Sequence, residues 1–286
     1  MSIDRDLAAR YTTCMDNSSV AFITGGAQGI GLGIARALAG HGVRLALVDI
    51  DADALERARE ELAQRTTVAT HVLDVRDREA FARVADEVES TLGPVTLLFN
   101  NAGVAGGCHV TQMTYEQWDW MLDINLGGVV NGIQTFVPRL IARGQGGYVV
   151  NTSSGAGLVA TDAGFLYTTS KFAVVGMSET LQAELAPFGI GVSVLCPGPV
   201  ATDIVQNTWR RAPNGGDAID PDVQALLEPS IAFLQAGTRP DDVGRMVVEA
   251  MARKQLHIFT DDVVRDGLEA RTHQLLAELP GAVVGA

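Results

Sequence analysis

Five residues in the second half of the chain put a phenol and an ammonium four positions apart: Tyr167-Thr168-Thr169-Ser170-Lys171. On a helix, positions i and i+4 share a face, with Cβ atoms about 5–6 Å apart. A cation held there favours tyrosinate over tyrosine, and tyrosinate can take a proton from an alcohol. The expected pKa of Tyr167 is therefore below the ordinary value of about 10. The same spacing also describes a solvated pair worth roughly a few tenths of a kcal/mol. The surrounding elements have to decide between these readings.

A second chemical feature lies far upstream. The apolar run Val20–Thr24 is followed by Gly25-Gly26-Ala27-Gln28-Gly29-Ile30-Gly31 and then by a helical pattern. Glycines at 25, 29 and 31 let backbone approach a pyrophosphate. The helix that starts beside Gln28 and Ile30 offers free N–H groups and a positive dipole end to an anion. A strand before and a helix after the turn form the context that makes a glycine triplet informative. The next strand ends at Asp49, where a carboxylate accepts hydrogen bonds from adenosine ribose hydroxyls and repels an added 2′-phosphate. No Lys or Arg follows Asp49 directly, and position 28 is Gln, which favours NAD over NADP. Asp49 as a plain helix-side charge is the competing reading. Asp74-Val75 closes a third strand, where the carboxylate either meets the adenine amino group or caps a helix. Asn101-Ala102-Gly103 closes a fourth strand with small residues suited to a cofactor lying on backbone.

These motifs sit in a regular alternation. Strands are expected at 20–24, 44–50, 67–73, 95–99, 148–152, 190–195 and 256–260. Helices are expected from the glycine turn to Gly40 and at 51–64, 77–92, 115–140 (one or two), 165–186, 239–253 and 262–277. Near-continuous apolar strands between amphipathic helices predict an α/β fold, a single doubly wound parallel sheet with helices on both faces. Residues 1–18 read as an N-terminal arm and 19–286 as one catalytic domain. Residues 203–235, rich in Pro, Gly and mixed charge, interrupt the rhythm after a strand's carboxyl end. They read as an irregular substrate lid or as a solvated insertion.

Bulk properties exclude other classes. A net charge of −13 repels phosphate backbones, which argues against nucleic acid. The apolar runs are strand-length, too short to span a membrane, and the first ten residues lack the apolar core of a secretory signal, so a cytoplasmic location is expected. Three widely spaced cysteines and five scattered histidines predict neither a disulfide framework nor a metal site.

In order along the chain, TGGAQGIG, NNAG, Ser153-Ser154, YTTSK and Pro197-Gly198-Pro199-Val200-Ala201-Thr202 resemble the short-chain dehydrogenases/reductases over roughly residues 18–205. The resemblance implies a seven-stranded Rossmann domain, an NAD- or NADP-dependent alcohol dehydrogenase or carbonyl reductase, and a homodimer or homotetramer. It implies a catalytic Ser154, thirteen residues before Tyr167, with Tyr167 as acid/base and Lys171 as its tuner and cofactor anchor. It also implies that Asn125 positions a proton-exchanging water, that Pro197 and Gly198 pass over the nicotinamide ring, that Val200 belongs to the cofactor set, and that Thr202 touches either the carboxamide or the pyrophosphate. The positive nicotinamide ring would then add to Lys171 in favouring tyrosinate. FITGGAQGIGLGIARALA, INLGGVVNG and GIGVSVLCPGPVAT are also similar to bacterial Cα-dehydrogenases of lignin-type β-aryl ethers, which implies a benzylic secondary alcohol and NAD. Substrate-lining candidates are Val104, Ala105, Leu158, Val159, Phe165, Ile204, Val205 and Trp209, mostly apolar. Arg210 and Arg211 either meet an anionic substrate group or are simply solvated. The alternatives are an NADPH-dependent carbonyl reductase, which Asp49 opposes, and a non-catalytic dinucleotide-binding regulator, which has no need of an activated phenol.

Overall fold

The computed structural model describes residues 15–106, 110–161, 164–213, 215–216 and 219–280, so most of the expected N-terminal arm lies outside it. Seven strands form one sheet: β1 (Val20–Thr24), β2 (Arg44–Asp49), β3 (Val68–Val72), β4 (Leu97–Asn100), β5 (Gly147–Thr152), β6 (Ile190–Cys196) and β7 (His257–Phe259). Their order is β3-β2-β1-β4-β5-β6-β7, and every neighbouring pair is parallel. The chain crosses back between β1 and β4, which opens a crevice at the strands' carboxyl ends, the usual ligand site of an open α/β sheet.

Alternation along each strand sends side chains to two cores. Ala21, Ile23, Leu45, Leu47, Leu97 and Phe99 face one, under α1 (Gly29–Ala39), α2 (Ala52–Leu62) and α9 (Pro240–Ala252). Val20, Phe22, Ala46, Val48 and Leu98 face the other, under α3 (Arg78–Leu92) and α5 (Gly128–Arg143). Phe22 anchors that second core, with ring centroids 4.7 Å from Phe136 and 5.5 Å from Phe81. Helix starts follow the capping residues. The Asp51 side chain accepts from Ala54 N and begins α2, and Asp77 accepts from Ala80 N and begins α3. Thr114 and Gln117 close a capping box at the start of α4 (Tyr115–Leu122).

Two features differ from the expected pattern. The 115–140 stretch is neither one regular helix nor two separated ones: α4 runs into α5 through a π-helical turn at Asp123–Gly127. Residues 203–235, expected to be irregular, hold α7 (Ile204–Arg211) and α8 (Pro221–Gln235). Helix α8 starts where Asp220 caps and Pro221 takes the first helical position, so that Pro is a helix starter and not a loop signal. Helices α6 (Phe165–Leu185) and α10 (Arg265–Glu278) complete the elements named here.

Helices α1 and α9 touch backbone to backbone. A Cβ on Gly33 would lie 2.1 Å from the Pro240 carbonyl oxygen. Gly33→Ala is expected to force the helices apart and cost about 2 kcal/mol. Gly176→Ala, on exposed α6 surface with open space around it, is expected to gain about 0.5–1 kcal/mol. Urea unfolding of the two variants checks this; shifts of the same sign would contradict the packing.

Candidate active site

The site is built where β4 and β5 end and α6 crosses them. A buried polar ladder ties these elements together. Asn100 Nδ2 donates to Asn151 Oδ1 (2.9 Å), Asn151 Nδ2 to Ser178 Oγ (3.0 Å), and Ser178 Oγ to the Val174 carbonyl (2.6 Å). Above it, Lys171 Nζ donates to the Thr152 carbonyl at 3.1 Å, and Ser153 Oγ donates to the Lys171 carbonyl at 2.8 Å. Ser153 is thus consumed by the scaffold. Lys171 is 4% exposed, and burial lowers its ammonium from 10.5 to about 8.

Tyr167 stands one turn before Lys171, with Nζ 5.6 Å from the ring centroid. The Ser154 hydroxyl hydrogen-bonds the phenol. The expected direction of the Tyr167 pKa is corrected by the structure: burial pushes it up, and the Ser154 bond opposes this only in part. The residue as a whole is half-buried, yet protein surrounds it densely enough that desolvation of a phenolate outweighs any help from the nearby ammonium. The sequence shows the spacing of the pair and not how deeply it is enclosed.

Asn125 sits in the π turn and is fully buried. Its Oδ1 accepts from Val104 N (2.8 Å), and its Nδ2 donates to the Val104 carbonyl (2.9 Å) and to Ser170 Oγ (3.2 Å). Single-turn π bulges recur at functional sites. This one lets an asparagine side chain reach back to the strand-β4 loop and forward to α6.

A cleft of about 640 Å³ runs from this point across the crevice to β2 and β3. Among its walls are the expected Gly25, Gln28, Gly29, Ile30, Asp49, Asp74, Val75, Asn101, Ala102, Gly103, Tyr167, Lys171, Pro197 and Thr202, with Val104 and Ile204 of the substrate set. Gly25 has φ +61°, where a side chain is strained, and a Cβ there would also meet Ala102 Cα at 2.9 Å. Gly31 serves the turn's own packing, because a Cβ would fall 2.0 Å from the Gly25 carbonyl oxygen. The first turn of α1 carries no side-chain cap and no acidic residue, so its N–H groups remain available to a diphosphate. Asn101 Nδ2 donates to the Thr24 and Gly25 carbonyls (3.2 and 3.3 Å) and holds the turn against β4.

Asp49 accepts from Asp51 N (3.2 Å) and Ala27 N (3.4 Å), and burial raises its carboxyl above the usual range. Asp74 is held low by the Arg76 guanidinium, which forks onto both carboxylate oxygens. Glycine-sized gaps, free helix N–H groups and a ribose-side carboxylate fit a dinucleotide.

Other expected residues, Gly31, Asn125 and Ser154 among them, are not part of the cleft's walls. Gly198 packs against the Asp261 carboxylate and Val200 is buried beside Thr238. Leu158 packs on the Val174–Cys196 core, and Val159 lies 3.4 Å from where a Cβ on Gly267 would sit. Phe165 is exposed and edge-on to Trp118 (5.6 Å), and Trp209 is half-buried. Conversely, Trp120, Ile124, Arg76, Asn207 and Gln235 line the cleft without having been singled out for it. Trp120 and Ile124 are four residues apart, a face that helical spacing does reveal. Asn207 donates to Gln28 Oε1 at 3.2 Å across 179 residues, and no local pattern signals that. Among the described residues there is no His/Cys/Asp/Glu group able to hold a metal and no helix long and apolar enough to cross a membrane.

Comparison with known proteins agrees with this geometry. The short chain dehydrogenase family model matches residues 19–213. The chain is 36% identical over 253 residues to a C alpha-dehydrogenase of Sphingobium sp. strain SYK-6, covering 87% of this chain and 83% of that one. It is also 36% identical over 234 residues to a probable oxidoreductase, EphD, of Mycobacterium tuberculosis, but there it spans only 39% of the relative's length. A short-chain dehydrogenase/reductase from Burkholderia phymatum, solved in complex with NAD, superposes with a TM-score of 0.85 at 30% identity, covering 96% of this chain and 99% of that one.

The buried lysine makes a stability prediction. Its folded pKa, about 8, lies below 10.5, so the cost of burying its charge is full below pH 8 and fades as pH rises to 10.5. That difference corresponds to about 3 kcal/mol. In ligand-free protein, wild type should gain that much relative to Lys171→Met between pH 7 and 10.5. Paired urea titrations measure it; a pH-independent difference would mean that burial does not lower this pKa.

Proposed function

The chain belongs to the short-chain dehydrogenase family, and we propose that it moves a hydride between NAD(H) and a hydrophobic or benzylic secondary alcohol or its ketone. The observation that carries this reading is that Tyr167, bonded by Ser154, and the buried Lys171 stand at one end of a cleft whose other end is the glycine turn and Asp49. Asp49 supports NAD, because a second carboxylate-facing phosphate would be repelled, and the likeness to an NAD-bound relative supports it too. Trp120, Ile124 and Val104 near Tyr167 offer an apolar surface, which suits an aromatic or alkyl substituent beside the reacting carbon.

Bound in the cleft, the nicotinamide would supply the hydride acceptor or donor. The chain's own groups do the rest. Gly25, Gly29 and the α1 N–H groups hold the diphosphate. Ser154 donates to the substrate oxygen and steadies charge developing there. Tyr167 gives its proton to that oxygen in reduction and recovers it in oxidation. Lys171, anchored on the Thr152 carbonyl, keeps a positive charge close to the phenol, and Asn125 fixes the loop that carries Gly103 and Val104.

Burial favours the protonated phenol, so ketone reduction is predicted to proceed at neutral pH, whereas alcohol oxidation should rise with increasing pH. Tyr167→Phe should lower kcat by about 10²–10⁴ in both directions while changing the Kd for NADH less than about threefold. Steady-state rates and NADH fluorescence titration measure the two effects. Turnover that survives in the phenylalanine variant would remove Tyr167 from the chemistry.

A further inference from the structure

Helix α7 presents three residues to the cleft, Ile204, Asn207 and Arg211, spaced so that they share one face. Two polar contacts seat it. Asn207 Nδ2 bonds Gln28 Oε1 in the glycine turn, and Ala105 N donates to Thr208 Oγ1 at 2.9 Å. This seating carries Arg211 across the cleft to the start of α2, where its Nη2 lies 3.5 Å from Asp51 Oδ2 with both side chains about one-third exposed (34% and 32%). Arg210, its neighbour, points to solvent and bonds Asn207 Oδ1 at 3.2 Å. The cations that line the cleft are Arg76, Lys171 and Arg211. Arg76 is committed to Asp74, and Lys171 lies with Tyr167 at the reactive end. Among the described residues this leaves Arg211 as the cleft-lining cation beside Asp49 and Asp51.

We propose that Arg211 is a nucleotide-selectivity residue: reaching over from the substrate side, it offers a guanidinium to a 2′-phosphate and so softens the preference that Asp49 sets for NAD. The inference rests on reading the cleft as a dinucleotide site. Guanidinium is the side chain best matched to phosphate oxygens, and its present partner, Asp51, holds it by a single long contact that a phosphate could outcompete. Asp51 also caps α2 through its other oxygen, on Ala54 N at 2.9 Å, so the carboxylate keeps a structural role when the arginine turns away. The charge of Arg211 is felt at Asp49 as well, where it eases the carboxyl pKa downward against burial. A basic residue supplied 162 positions after Asp49, the end of β2, escapes any inspection of the residues that directly follow that strand.

Fluorescence titrations with NADH and NADPH test this on the full chain. Wild type is expected to bind NADPH within about a hundredfold of NADH. Arg211→Gln should weaken NADPH about tenfold more than NADH, Arg211→Lys should keep most of the wild-type ratio, and Asp51→Asn should shift the ratio toward NADPH. Undetectable NADPH binding to wild type, or an unchanged ratio in Arg211→Gln, would overturn the proposal. Should Arg211→Gln not fold, the direction of the Asp51→Asn shift decides alone: toward NADPH sustains it, and no shift overturns it. If folded wild type binds neither nucleotide, the dinucleotide reading fails together with it, which separates that failure from a loss of selectivity only.

Discussion

The site depends on how α6 is fastened to the end of β5. Lys171 donates from its side chain to the Thr152 carbonyl and accepts through its own carbonyl from Ser153. This reciprocal pair fixes the helix both along its axis and around it. With Lys171 fixed, Tyr167 one turn earlier has little choice of position, and Ser154, next to Ser153, meets the phenol. Gly157 makes the approach possible, since a Cβ there would lie 2.4 Å from Ser153 Oγ and 2.7 Å from the Lys171 carbonyl oxygen. Burial is the cost of this rigidity. It depresses the ammonium and raises the phenol, so each group resists the charge that proton transfer requires.

The rest of the molecule extends the same logic to the other strands. Thr24 Oγ1 accepts from Asn101 N (2.9 Å) and Ala102 N (3.0 Å), and Thr152 Oγ1 donates to Asn101 Oδ1 (3.3 Å). The carboxyl ends of β1, β4 and β5 are therefore wired together by short polar side chains. Such buried groups hold position only because each finds a partner. Helix α7 then closes the circuit from above by touching the glycine turn and the loop after β4.

Much of this was legible in the sequence. Apolar strands alternating with helical stripes predict the parallel sheet, and the observed strand boundaries agree to within about two residues. The glycine turn, Asp49 and the YTTSK spacing carry local geometry, and they line one cleft. What escaped depends on contacts between distant segments or on enclosure. The π turn around Asn125 has no distinguishing composition. The two helices within 203–235 are masked by proline and charge, although Asp220-Pro221 is a helix start. Leu158 and Val159 were expected at the substrate because they follow β5, yet apolar side chains there find core partners in α6 and α10 first. The phenol's pKa direction failed for the same reason: spacing describes a charge nearby, and only the fold sets how much water is excluded.

Burial, not the adjacent lysine, governs the resting phenol. Ultraviolet difference titration of ligand-free wild type against Tyr167→Phe isolates the tyrosinate signal of that one residue. Tyr167 is expected to ionise at higher pH than an ordinary tyrosine, and not in step with the Lys171 ammonium, which burial lowers to about 8. A tyrosinate signal rising between pH 7 and 8 would contradict it and return control of the phenol to Lys171.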